Sequence, residues 1–196
     1  GSQRLDNSSV YDRPDYRMVF RTIGDSLLPS MTYPVYGDSY ITSRPGSLLL
    51  TLGAARTELP ILLSLARYGG FDLTLAGADY LLYRSDSIDT AEPIKLPDVL
   101  FPQWKLAMLR GGENHMDSTA ILNASDWGGH RHRDSLDFSY SANGSEALTD
   151  FGYLWDNPQA NMTSRTAAHN LVIVNQKDQV TSGRCGSVRQ FITATP

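Results

Sequence analysis

Residues 136–144, Leu136-Asp137-Phe138-Ser139-Tyr140-Ser141-Ala142-Asn143-Gly144, decide the fold class. Leu136, Phe138 and Tyr140 alternate with Asp137, Ser139 and Ser141, which is the period of a half-buried strand. Asn143-Gly144 then supplies two residues that tolerate positive φ, the requirement of a two-residue hairpin turn. An antiparallel sheet is predicted around this stretch.

Outward from it, more strands are predicted. Trp104, Leu106, Met108 and Arg110 alternate with Lys105, Ala107 and Leu109, and Thr119 to Asn123 reads as a second short strand. Leu171 to Val174 is a continuous apolar run, predicted to be a strand buried on both faces, and Val188 to Thr193 is strand-like. Residues 91–103 hold Pro93, Pro97 and Pro102 and read as a linker.

Before the linker the period is helical. Asp15 to Leu28 places Met18, Val19, Ile23 and Leu27 near helical spacing. Ser47 can cap a helix through Leu52 and Ala55; Pro60 starts another that Gly69-Gly70 ends; a short one is predicted over Leu73 to Tyr83. The reading is an α+β chain of segregated units: helical over 1–90, linker over 91–103, sheet over 104–196.

Composition narrows the function classes. The 196 residues carry a net charge of −4, which argues against a broad basic nucleic-acid surface. No apolar run approaches the roughly 18 residues of a membrane span. Cys185 is the only cysteine, so an intrachain disulfide and multi-thiolate zinc sites are both excluded. Any metal must be held by His and carboxylate. Gly1-Ser2 reads as an expression scar.

All four histidines fall in the sheet half, and three of them form a pattern. His130-Arg131-His132 follows Gly128-Gly129; on an extended strand both imidazoles would enter one pocket. Asp150 lies beyond the hairpin turn, and His169 opens the apolar run. Two His and one Asp form a borderline-to-hard ligand set suited to zinc. A lone strand histidine is most often a core or surface residue, as His115 is read here; the combination is what points to a site. A tight turn at Asn143-Gly144 would pair Asp150 with Asp137, about 16 Å of strand away from His132. The two can meet only if 130–135 curls back, a bulge intervenes, or the loop is longer.

In order and spacing these residues resemble the heparinase II/III family of polysaccharide lyases, which also includes alginate lyases. That family carries H-G-H-A-D, a strand, an N-G turn, D-P-G-x-Y, and R-S-T-A-A-H-N. Here the matching run is His130-Arg131-His132-Arg133-Asp134, Phe138 to Gly144, Asp150-Phe151-Gly152-Tyr153, and Arg165-Thr166-Ala167-Ala168-His169-Asn170. Tyr36-Gly37-Asp38-Ser39 is similar to a late-toroid loop of the family. The resemblance spans roughly residues 30–180. It implies the end of an α/α toroid followed by an antiparallel β-sandwich, with the remainder of both in a longer parent chain. It also implies His130 as the catalytic histidine, His132, Asp150 and His169 as ligands of a structural zinc, and Tyr153 near the substrate cleft. Arg131 and Arg133 stand where the family has small residues, and Phe151 where it has proline. Arg131 would contact an anionic sugar. The family's catalytic tyrosine and its asparagine lie earlier in the toroid, so Tyr33, Tyr36 and Tyr40 receive no role.

The activity implied is β-elimination on an acidic polysaccharide, glycosaminoglycan or alginate-like, in the periplasm or outside the cell. Two other readings stay open. HxH followed by Asp137 could be a cupin-type metalloenzyme whose metal is catalytic. A non-catalytic carbohydrate-binding sandwich could use the metal only to staple strands.

Overall fold

Pro14 fixes φ at the start of the first helix, α1 (Pro14–Asp25), where its missing N–H costs nothing, and Asp15 sits favourably in the positive end of the helix dipole. The computed structural model describes residues 13–57, 59–70, 94–113, 116–125, 128–154, 157–180 and 185–193. The expected helix at 73–83 and His115 lie outside them. The chain divides into two units, one of residues 1–31 and 44–95, the other of 32–43 and 96–196.

The first unit holds α1, α2 (Ser47–Thr57) and α3 (Pro60–Tyr68). Pro60 again opens a helix, and Gly69-Gly70 close it, the Gly69 N–H donating to the Leu65 carbonyl and the Gly70 N–H to that of Arg67. Leu50, Leu62 and Leu65 are fully buried. Each such leucine contributes about 1.5–3 kcal/mol by leaving water. Gly53 permits the close packing: a Cβ there would lie 2.6 Å from Phe20 and 2.7 Å from Leu62. The apolar face of α1 differs in part from the expected one, which holds at Leu27. Phe20 and Gly24 on the helix, with Leu27 and Leu28 just past its end, are buried, whereas Met18 and Val19 face solvent. The stripe at i, i+4, i+7 and i+8 won over the nearby apolar pair.

The second unit is built on one antiparallel sheet of five strands in sequence order. They are β1 (Val99–Phe101), β2 (Leu106–Gly111), β3 (Ser118–Asn123), β4 (Asp137–Ala142) and β5 (Ser145–Leu148). Asn143 and Gly144 both take positive φ, 50° and 74°, as a tight β4–β5 turn requires. The register then shifts between Tyr140 and Ser141, so that Tyr140 faces Leu148 while Ser141 faces Glu146. Leu106, Asn123 and Asp137 lie in one cross-strand row, and Met108, Ile121 and Ser139 in the next.

The inner face of β4 is therefore the opposite of the expected one. Asp137 is buried at 1% exposure, while Phe138 and Leu136 are 40% and 49% exposed. Asp137 has partners that its sequence alternation does not reveal: its carboxylate accepts from the Asn170 N–H at 2.7 Å and the Ser139 hydroxyl at 3.2 Å. Trp104 lies in the turn before β2 rather than on the strand. The run Leu171–Val174 is not a buried strand: Val172 and Val174 are largely exposed, and among the described residues the run makes only a Val174–Lys177 bridge around a turn at Asn175-Gln176. Residues 188–193 likewise form no strand among the described residues. Apolar content favours burial, but without a neighbour to pair with it does not make a strand. No helix of the described residues is long and apolar enough to cross a membrane.

Candidate metal centre

The segment between β3 and β4 does not run extended. Gly128–His130 form a single 3-10 turn, and Leu136 takes a φ of 74° as the chain reverses into β4. This curl, together with the shift in the β4–β5 register, resolves the distance problem between His132 and Asp150. It also corrects the same-face expectation for the two histidines. The His132 side chain is 3% exposed and that of His130 is 87% exposed, so the two rings do not share one buried pocket.

Each member of the inner cluster is held from its flanks. Beside His132, Arg133 donates its N–H to the Ser164 carbonyl at 3.0 Å and accepts from the Thr166 hydroxyl at 2.8 Å. Asp150 Oδ1 accepts the Gly152 N–H at 2.7 Å, which aims Oδ2 inward. His169 leaves a 3-10 turn over Thr166–Ala168. Beyond it, the Asn170 side chain donates to the Thr149 carbonyl, so Asn170 ties the segment to both β4 and the end of β5. The result is that His132, Asp150 and His169, all buried, each offer a donor atom within 4.8 Å of the others. His169 Nδ1 lies 3.0 Å from Asp150 Oδ2, and the two imidazoles are 5.3 Å apart at their centres.

This donor set fits a metal ion. His132 Nδ1, Asp150 Oδ2 and both His169 ring nitrogens are buried without a well-directed hydrogen bond. Asp150 Oδ2 and His169 Nδ1 face each other, which leaves His132 Nδ1 and His169 Nε2 to call for a partner, since an unsatisfied buried polar atom costs about 1–3 kcal/mol. A shared zinc at 2.0–2.2 Å from each donor would hold them about 3.3 Å apart. The electrostatics agree. Burial raises the Asp134 carboxyl to about 6, and the charges of Asp150 and Asp137 push the same way. Burial raises Asp137 too. Burial alone would lower His169, but the carboxylates of Asp150, Asp134 and Asp137 outweigh it and its pKa rises. His132 is lowered, first by burial. Three carboxylates around two imidazoles favour a cation.

The other expected site residues are not part of this buried set. His130 is at the surface, its Nδ1 3.2 Å from Asp38 Oδ2. Tyr153 is half-buried and meets Tyr40 edge to face at 6.2 Å. Arg131 is half-buried. Arg133 and Arg165 both pair with Asp178, at 2.8 and 3.2 Å. The cupin-like reading loses its geometric basis, since HxH is not on a strand and Asp137 is engaged by Asn170. Sequence reasoning missed Asp38 and Asp134. The last residue of the H-x-H-x-D run was the available signal for Asp134.

Residues 93–194 match the family described as Heparinase II/III-like, C-terminal. The chain belongs to this family. No curated protein matches its sequence. Among solved structures, a heparinase III with methylated lysines aligns with a TM-score of 0.59 at 18% identity, over 85% of this chain and 25% of that one. A mutant of the heparan sulfate lyase HepC from Pedobacter heparinus aligns with a TM-score of 0.53 at 18% identity, over 82% and 24%. This heparinase II/III-like chain thus shares their fold and spans about a quarter of their length.

Proposed function

We propose that the chain is part of a polysaccharide lyase that cleaves uronic-acid-containing glycosaminoglycan or a related acidic polymer by β-elimination. The observation that carries this reading is the buried His132, Asp150 and His169 cluster beside the exposed His130, in a chain of this family. In the reaction, neutralising the C6 carboxylate acidifies the C5 proton. A base removes that proton, the O4 bond breaks as the C4–C5 double bond forms, and an acid returns a proton to O4.

His130 is the proposed base, since histidine changes protonation near neutral pH and this ring is open to substrate. Arg131 and Tyr153 are proposed to contact the anionic sugar. Zinc, when bound by His132, Asp150 and His169, supplies structural rigidity rather than reaction chemistry. The helices would be the end of a toroid and the sheet the start of a sandwich. The tyrosine acid and the asparagine would come from earlier toroid helices, and the enzyme would act in the periplasm or outside the cell.

The test is to incubate the intact enzyme with heparan sulfate, hyaluronan and alginate and follow the ultraviolet absorbance of the new double bond. Absorbance should rise on at least one polymer. His130→Ala should slow it by about 10²–10⁴-fold. No rise on any polymer would leave the carbohydrate-binding reading in its place.

A further inference from the structure

One carboxylate touches both histidines of the H-x-H pair. Asp38 Oδ2 lies 3.2 Å from His130 Nδ1, and its Oδ1 lies 3.3 Å from His132 Nε2. We propose that Asp38 is a positioning residue that fixes the tautomers of both rings, leaving His130 Nε2 free to take the substrate proton and His132 Nδ1 free to bind the metal.

The nitrogens that Asp38 does not touch are the ones the site needs. A neutral imidazole carries one proton, and a carboxylate on one nitrogen holds the proton there and leaves the lone pair on the other. His132 Nδ1 is buried and has no hydrogen-bond partner, as a nitrogen reserved for a metal would be. His130 Nε2 belongs to an exposed ring. The loop carrying Asp38 is built to hold it in place. The Asp38 N–H donates to the His130 carbonyl at 3.1 Å. Gly37 makes that approach possible: its φ is +50°, and a Cβ there would sit 2.2 Å from the same oxygen. The Tyr36 N–H donates to Ser39 Oγ at 2.7 Å, and the Ser39 carbonyl accepts the Tyr153 N–H at 3.0 Å. His130 is thus gripped at its backbone and at its ring by one short loop, and the same carboxylate reaches the inner cluster.

This inference rests on the lyase and metal reading above, and the experiment separates the two. The full-length enzyme is compared with Asp38→Asn and Asp38→Ala. Cobalt(II) binding is measured by chelator competition and by its visible spectrum, and the ring tautomers by nitrogen NMR of histidine-labelled protein. The wild type should show His130 protonated at Nδ1 and His132 at Nε2. Asp38→Ala should lose the His130 preference and bind cobalt about 10–100-fold more weakly. Its kcat should fall with KM little changed. Asp38→Asn keeps the shape but offers a single acceptor, so it should lose one of the two tautomer preferences; it carries the comparison if the alanine variant does not fold. A wild type that takes up no cobalt defeats the metal reading and the proposal together. A wild type that binds cobalt no tighter than both variants do, with His130 unchanged, defeats the proposal alone.

Discussion

Burial alone would lower the His169 pKa, yet three carboxylates raise it, so in the metal-free site a proton competes more strongly for the place a metal would take. The sign of the resulting pH dependence follows. In the metal-free protein, the stability that His169 contributes is fully present below its unfolded value of 6.5 and is lost as pH rises through the raised folded value. The lowered His132 opposes it. Zinc needs the His169 lone pair and must expel the proton, so its stabilising effect grows with pH. The rise in Tm on adding zinc should be larger at about pH 8 than at about pH 6; equal shifts would sink the assignment of His169 as a ligand.

Asp134 gives a crossed prediction. Its carboxyl is raised from 3.8 to about 6, so ionising it in the fold costs stability, and that loss sets in as pH climbs through this range. Asp134→Asn should stabilise the metal-free protein at neutral pH by about 1–3 kcal/mol, a gain absent at pH 4. The same change should weaken zinc binding, because it removes negative charge beside the ion. Denaturant unfolding with and without chelator reads both effects. The inner cluster was visible in the sequence through the order and spacing of a family's residues, not through strand geometry. The strand argument for H-x-H fails because 128–136 curls, and Asp38 stands 92 positions from His130, beyond any local pattern.

Among the elements, the punctuated ones were the most legible. Pro60 fixes its own φ, and Gly70 and the Asn143-Gly144 turn take the positive φ that their residue types tolerate, so packing does not override them. The runs 171–174 and 188–193 were misread because a strand is a property of a pair, and a single run does not name its partner. Two glycines separate conformational cost from contact cost. Gly144 has a φ of +74° with open space around its missing Cβ. Gly152 has a φ of +58°, and a Cβ there would lie 2.4 Å from the Ser39 carbonyl and 2.8 Å from Val35. Gly144→Ala should cost about 1 kcal/mol from φ alone. Gly152→Ala should cost more, about 2–4 kcal/mol, because backbone cannot yield as a side chain can. Equal losses in chemical denaturation would mean that the loop at 36–40 is not seated against Gly152.

At the scale of the whole molecule, the distribution of ligands determines what metal loss can do. The candidate donors come from the β3–β4 connection, the segment after β5 and the turn at 166–169, and all lie in the unit that carries the sheet. Helices α1 to α3 supply none. Asp178 already joins two of these stretches, binding Arg133, Arg165 and the Thr166 N–H. Asn170 ties the third stretch through the Thr149 carbonyl, and a metal on Asp150 would add a crosslink among all three within an otherwise irregular region. Zinc at 100 times its Kd would contribute about 2.7 kcal/mol to that unit. Stripping it from the intact enzyme should therefore raise amide hydrogen exchange around 130–136, 150–153 and 166–170 about 100-fold where exchange follows unfolding of the unit, and leave Leu50 to Thr57 and Leu62 to Tyr68 unchanged. Mass spectrometry of exchanged peptides reads both regions in one experiment. Faster exchange spread equally over the helices would show that the metal acts on the chain as one cooperative body; no change anywhere would show that the cluster needs no ion to hold its shape.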